Sequence, residues 1–417
     1  MSQMARRGTR NGAYFNLPET ELRRVLVAGT DRTTLETHLG TRLYQRLRDL
    51  AIAARKHRRS RGPCVYLLHG IMGSQLGTRR GALWVNPAAL AAGRLTELAL
   101  PGGRGVQALG LQTFMYLRLR LTLELTGFDV RVHAYDWRRD ILALGRELLE
   151  RVRSESKQPV AVVAHSMGGL VARAAMHREQ EHKIARLIML GTPSYGSFAA
   201  VLALRGAYPP VHKIALLDHE HDPDAHAQKV FATFPGLYQL LPEPTRLGGL
   251  DLRRATAWPA HGPRLSKTLL QESAAYRALL APADRRMTLI AGVQQHTVSA
   301  MRRVGGEFLF EVTRNGDGTV PLSLALLRGA RTYYVAEGHT ELPSNGQVIA
   351  ALVDVLKAGK TSRLPRQWRQ SRAAARVLRE SDLRSTQTIS HDWDALDAAT
   401  QRELLEGIVF PGRAADD

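Results

Sequence analysis

The segment Pro159-Val-Ala-Val-Val-Ala-His-Ser-Met-Gly-Gly-Leu-Val-Ala-Arg173 constrains this chain more than any other. A short apolar, β-branched run ends in His165-Ser166-Met167-Gly168-Gly169 and passes directly into an alanine-rich helical pattern. That pattern predicts a buried strand turning at once into a helix. A serine on so tight a turn is held out at the sheet edge, where backbone N–H groups can flank an attacked carbonyl. The pattern departs from G-x-S-x-G at Ala164, where the first glycine would stand. Alanine is the next smallest side chain, so the turn remains feasible. Alone, such a turn also fits a purely structural serine.

Around this turn, strand and helix periodicities alternate. Cys64–Leu68, Asp129–Tyr135, Ile184–Leu190, Met287–Val293, Glu307–Thr313 and Arg331–Ala336 read as strands. Residues 111–126, Asp140–Ser154 and Gly346–Leu356 read as helices. The alternation predicts an α/β fold, a mostly parallel sheet with helices on both faces. Residues 196–285 break the rhythm with Pro, His and Gly, and are expected to form an inserted cap. Residues 75–110 read as irregular. The core is expected over 63–357. A basic helical extension precedes it at 1–62, with helices at Glu19–Ala28 and Thr33–Arg59, and a helical extension follows at 358–417.

A chain of 417 residues can bury one large core with insertions. No run approaches the ~20 apolar residues of a membrane span. The opening MSQMARRGTRNGAYFNLPET has basic residues with no apolar stretch behind them, so it does not read as a secretory signal. The single cysteine, Cys64, excludes an internal disulfide framework and fits a reducing compartment. A cytoplasmic location is therefore expected, with peripheral membrane contact. The net charge is +20, and only 8 of the 58 basic residues are lysine. Residues 1–62 carry a net +9, residues 361–384 a net +5 and residues 385–417 a net −5. Basic blocks of this kind suit anionic lipid, and equally a plain solvated surface. The arginine-rich ends lack a recognition motif and interleaved aromatics, so no nucleic-acid partner is expected.

A serine hydroxyl needs a base, and the base needs an anion to fix its tautomer. In the expected fold these follow the chain order Ser, Asp or Glu, His. Asn315-Gly-Asp-Gly-Thr-Val-Pro321 offers Asp317 in a glycine-flanked turn, and Glu337-Gly-His-Thr340 offers His339 in a loop after the last core strand. Taken singly, Asp317 reads as a turn aspartate and His339 as a loop histidine. In order after Ser166 they read as a triad. His296 competes with His339 but precedes Asp317, and Glu311 competes with Asp317 but falls within a strand. His212, His219, His221, His226 and His261 lie in the cap and read as surface histidines, so no metal or other cofactor is expected. The oxyanion donors are expected to be the backbone N–H groups of Met167 and of Ile71, with Met72 the alternative to Ile71. His69 is expected to order that loop and His165 to pack beside the serine.

His69-Gly-Ile-Met-Gly-Ser-Gln-Leu76, Leu83-Trp-Val-Asn86, Tyr135-Asp-Trp-Arg138, Ala164-His-Ser-Met-Gly168, Gly191-Thr-Pro193, Phe234–Pro242 and Gly316-Asp-Gly-Thr-Val-Pro321 recur in order. Together they resemble the lecithin:cholesterol acyltransferase family of α/β-hydrolases, over roughly residues 64–356. The resemblance implies Ser166 as nucleophile, Asp317 as orienting acid and His339 as base. It also implies that the Tyr135-Asp-Trp-Arg138 segment, with Trp137 and Arg138 as its pocket candidates, lines or braces the site below the cap; packing and a structural ion pair are the favoured alternative for these two. The loop begins His69-Gly70 where relatives often have Pro-Gly, and Cys64 has no partner for the lid disulfide of the secreted members. Lid behaviour and substrate range therefore do not transfer.

These readings converge on a serine acyl-ester hydrolase or acyltransferase acting on lipid-like esters through an acyl-enzyme. A soluble carboxylesterase or polyester depolymerase is the nearest alternative, and a non-catalytic binding protein of the same fold the more distant one. Oligomeric state is open.

Overall fold

The computed structural model describes residues 16–56, 62–102, 105–371, 373–385 and 391–409. In chain order the strands are β1 (Cys64–Leu68), β2 (Ser74–Thr78), β3 (Gly81–Trp84), β4 (Gln107–Leu111), β5 (Asp129–His133) and β6 (Val160–His165). They continue as β7 (Ile184–Leu190), β8 (Met287–Val293), β9 (Thr297–Val304), β10 (Glu307–Thr313), β11 (Arg331–Ala336) and β12 (Arg376–Arg379). Six of them form an all-parallel sheet in the order β11-β8-β7-β6-β1-β5. Its inner strands are near-continuous apolar runs because helices cover both faces; β8 is buried along its whole length.

From β1 the chain moves outward to β5, then returns to β6 on the other side of β1. The crevice at the carboxyl ends of β1 and β6 is thus a topological switch point, where open α/β sheets place their ligands. The loop after β1 and the turn after β6 meet there. Helices Thr113–Leu125, Ile141–Glu155, Met167–His177 and Gly346–Ala358 are the main connections. Asp140 caps the second of these, its carboxylate accepting from Ala143 N–H at 2.7 Å.

Four expectations are corrected. Residues 33–59 do not form one helix: Arg32–Leu39 and Thr41–Lys56 are separated at Gly40, whose φ of 75° a helix cannot accommodate. Residues 57–59 lie outside the described residues. Residues 75–110 are not irregular, since β3-β2-β4 make a small antiparallel sheet. β10 is a strand but not of the main sheet; it pairs antiparallel with β9 and with β12 in a second small sheet. The C-terminal extension is accordingly not only helical. It contributes β12 before the helices Glu380–Arg384 and Ala398–Val409.

The amino-terminal helices are fastened to the core through Thr113–Leu125: Arg23 meets Glu124 at 2.8 Å and Arg120 meets Glu19 at 2.6 Å. Residues 196–285 are short helices and turns packed over the crevice, among them Phe198–Leu204, Pro209–Ala215 and Pro235–Gln239. Among the described residues, no helix is long and apolar enough to cross a membrane.

Candidate active site

Ser166 stands between β6 and the helix Met167–His177 with φ 52° and ψ −124°, a backbone conformation rare for a residue with a side chain. Its N–H donates to Leu190 O at 2.8 Å, and its carbonyl accepts from Thr192 Oγ1 at 3.0 Å. The turn is tight enough to demand glycine next to it: a Cβ on Gly168 would lie 2.5 Å from His69 O, and one on Gly169 would lie 2.0 Å from Thr192 Oγ1. Ala164, in contrast, fits at the end of the buried strand.

The fold brings Ser166, His339 and Asp317 together. Ser166 Oγ and His339 Nε2 are 2.8 Å apart, and His339 Nδ1 is 2.7 Å from Asp317 Oδ2. Asp317 Oδ1 accepts from the N–H groups of Thr319 and Val320 at 3.0 and 2.7 Å, which orients the carboxylate. The two loops are also tied by backbone, since His339 N–H donates to Asp317 O at 2.8 Å. All three side chains are buried. Of the competitors, His296 is exposed in the turn before β9, and Glu311 in β10 faces Arg302 at 3.9 Å.

The loop after β1 is fixed group by group. Gly70 N–H donates to Tyr116 Oη at 3.1 Å, and Gly73 N–H donates to Gly70 O at 3.1 Å. Gly70 O also faces His69 Nδ1 at 2.7 Å, and Met72 O accepts from the Trp84 indole at 3.0 Å. Tyr135 N–H donates to His69 Nε2 at 3.1 Å, and the Tyr135 hydroxyl donates to His69 O. Burial pushes the His69 imidazole down to about 3, so the ring is neutral while it braces the loop. Ile71 and Met72 have no acceptor for their N–H groups among the described residues, and both line the cavity over Ser166. The N–H groups of Ile71, Met72 and Met167 are thus the ones open to an oxyanion, while that of Gly70 is engaged by Tyr116.

That cavity, of about 80 Å³, is lined mainly by apolar cap and loop residues, including Ala200, Ala203, Phe231 and Leu237, with Ser166 and His339 at its base. Trp137 and Arg138 do not reach it. The Trp137 indole donates to Ser74 O at 3.2 Å and its ring packs edge-on against Trp84 and Phe234. Arg138 is held by Asp136 at 2.6 Å and by Leu98 O. Their place in the substrate pocket is therefore corrected to packing and an internal ion pair. The cap histidines are also not uniformly on the surface: His219 and His261 are exposed, but His212 and His226 are buried. Among the described residues no group of His, Cys, Asp and Glu is arranged to hold a metal ion.

Tyr116 and Trp84 are the supports that motif reading left without a role. Trp84 lies inside a recurring motif, but nothing in the leucine-rich helix marks Tyr116.

A parallel central sheet, an inserted cap and a serine held on a strand-to-helix turn define an α/β-hydrolase. The sequence profile of the lecithin:cholesterol acyltransferase family matches residues 125–354, just over half of the chain. The protein belongs to that family, whose chemistry is hydrolysis or acyl transfer on lipid esters. The loop after β1 lies outside the matched span. No curated protein sequence matches. Among solved structures, a chain of the Tle4–Tli4 complex is 14% identical with a TM-score of 0.50, covering 72% of this chain and 99% of that one. The mature form of the Bacillus licheniformis lipase BlEst2 is 15% identical with a TM-score of 0.38, covering 73% of this chain and 95% of that one.

Proposed function

We propose that the protein is a serine lipid-esterase in which Ser166 is the nucleophile, His339 the base and Asp317 the orienting acid. The observation that carries this reading is the unbroken pair of contacts from Ser166 Oγ to His339 Nε2 and from His339 Nδ1 to Asp317 Oδ2, 2.8 and 2.7 Å. Ser166 Oγ attacks the ester carbonyl carbon as its proton passes to His339 Nε2. The carbonyl oxygen becomes an oxyanion facing Met167 N–H and the free N–H of Ile71 or Met72. The imidazolium is stabilised by Asp317 and returns its proton to the leaving alcohol oxygen as the C–O bond breaks. This leaves the acyl group on Ser166. Water then repeats the sequence in reverse to release the acid; an alcohol entering instead would give acyl transfer. Hydrolysis is the simpler outcome, because water needs no binding site of its own to replace the leaving alcohol.

The cavity of about 80 Å³ suits a short acyl group as it stands, so a long-chain ester requires the cap to move outward. Contact with an anionic lipid surface through the basic segments 1–62 and 361–384 would supply the occasion for that movement. Initial rates on a p-nitrophenyl ester series, below and above the solubility limit, test this: a jump on crossing it is expected. A hyperbola through that limit would favour the soluble esterase. Ser166→Ala, Asp317→Asn and His339→Ala are each expected to lose at least ~10³-fold in kcat while melting near the parent temperature. Near-parental turnover in His339→Ala would remove the base assignment.

A further inference from the structure

We propose that Tyr116 and His165 are positioning residues that hold the oxyanion loop and the base loop in register on either side of Ser166. The proposal rests on the reading of Ser166 and His339 as nucleophile and base. Each link of the connection determines the next. Tyr116 Oη accepts the Gly70 N–H at 3.1 Å. Its own proton is then free to go to His165 Nδ1, 2.8 Å away. With Nδ1 accepting, the neutral His165 ring carries its proton on Nε2, which stands 2.9 Å from the backbone carbonyl of His339 and donates to it. One tautomer and one hydroxyl orientation satisfy every group.

Both side chains are buried, Tyr116 at 1% and His165 at 3% exposure, so an unmade bond here would leave a polar group stranded. Burial holds the His165 imidazole well below its ordinary range and the Tyr116 phenol above its own. A neutral His165 matters because its ring centroid is only 4.9 Å from that of His339, which must become positive during the reaction. The Gly70 N–H anchors the start of the loop that carries the next two N–H groups, those of Ile71 and Met72. Releasing it lets the oxyanion donors drift relative to the base, and a displacement of about 1 Å at such a site costs about 10²-fold in rate.

The variants to compare are Tyr116→Phe, His165→Ala, His165→Gln and Tyr333→Phe. The readouts are kcat and KM on p-nitrophenyl butyrate, and the rate of fluorophosphonate labelling. Tyr116→Phe is expected to lower kcat and labelling about 10- to 100-fold with KM within about twofold. His165→Gln places an amide donor near the Nε2 position and is expected to keep more activity than His165→Ala. Tyr333 is another buried phenol, in β11, whose hydroxyl accepts from Thr361 N–H at 3.2 Å; Tyr333→Phe is expected to turn over like the parent. Parental kcat in a folded Tyr116→Phe, or an equal loss in Tyr333→Phe, would overturn the proposal. Should Tyr116→Phe fail to fold, the parent protein decides the matter. With ¹⁵N-labelled histidine, His165 is expected to show the neutral Nε2–H tautomer near neutral pH, and an Nδ1–H tautomer or a protonated ring would overturn the link. Loss of the nucleophile assignment reads differently: the parent would then show no Ser166-dependent labelling, whatever the tautomer of His165.

Discussion

At Gly70 the limiting quantity is space for a side chain. An ideal Cβ there would stand 2.8 Å from Ser166 Cβ and 3.3 Å from Ser166 Oγ. Neither neighbour can yield without moving Ser166 or the loop after β1, because Ser166 is held through its backbone N–H and carbonyl and Gly70 by Tyr116. Gly70→Ala is expected to slow p-nitrophenyl ester turnover at least ~10-fold, and to destabilise the fold by about 1–3 kcal/mol as an overpacked site. Gly110→Ala, where an added methyl meets nothing within 4 Å, is the matched control and is expected to behave as the parent. Equal turnover in the two variants would show that the approach of Gly70 to Ser166 is not restrictive. At this scale Ser166, Asp317 and His339 were legible because each sits in a short turn motif and the three follow a fixed chain order. Tyr116 was not, since its partners Gly70 and His165 are 46 and 49 positions away and its own helix is merely apolar.

The secondary elements show where local pattern stops being informative. Period-two alternation identifies Glu307–Thr313 as a strand but says nothing of which sheet it joins, and Arg376–Arg379 is too short and too charged to announce the strand that pairs with it. Leucine spacing likewise carries through Gly40 and hides the break there. The pairing of β10 with β12 has a mechanical consequence for the cap. Arg205, at the end of the cap helix Phe198–Leu204, reaches Glu380 at 2.5 Å with both side chains almost wholly buried, and the other Glu380 oxygen accepts from Phe308 N–H at 3.2 Å. Arg384 adds a second tie, to Asp224. The C-terminal extension thereby clasps the cap to the β9–β10 sheet. Glu380→Ala strands a buried guanidinium and is expected to cost about 3–5 kcal/mol in urea unfolding. An apolar pair, Arg205→Met with Glu380→Leu, is expected to recover much of that loss. If Glu380→Ala unfolds at the parental urea concentration, the clasp is not a structural element of the cap.

Across the whole molecule, the sequence supported the sheet-and-cap architecture because alternating strand and helix periods admit few layer arrangements, and the charge pattern because it needs only counting. Which histidines are buried required the fold. His69 is pushed down to about 3 and His133 to about 4, both mainly by burial, and His165 is also held low. In the unfolded chain these rings titrate near 6.5. Below that pH the unfolded state binds protons that the folded state refuses, so stability is full above about 6.5 and falls as the solution is acidified toward 3. Each fully buried ring contributes on the order of 1 kcal/mol per pH unit. The urea midpoint is therefore expected to drop clearly between pH 7 and pH 5, and a flat profile over that window would mean that these rings are already charged in the fold. The central claim, a covalent acyl group carried on one serine, is tested most directly by rapid acid quench of the parent with p-nitrophenyl butyrate followed by intact and peptide mass analysis. A butyryl adduct on Ser166 that forms within the first turnover and is absent from Ser166→Ala is the predicted result. Continued ester turnover by Ser166→Ala, or a stoichiometric adduct on another residue, would contradict the account.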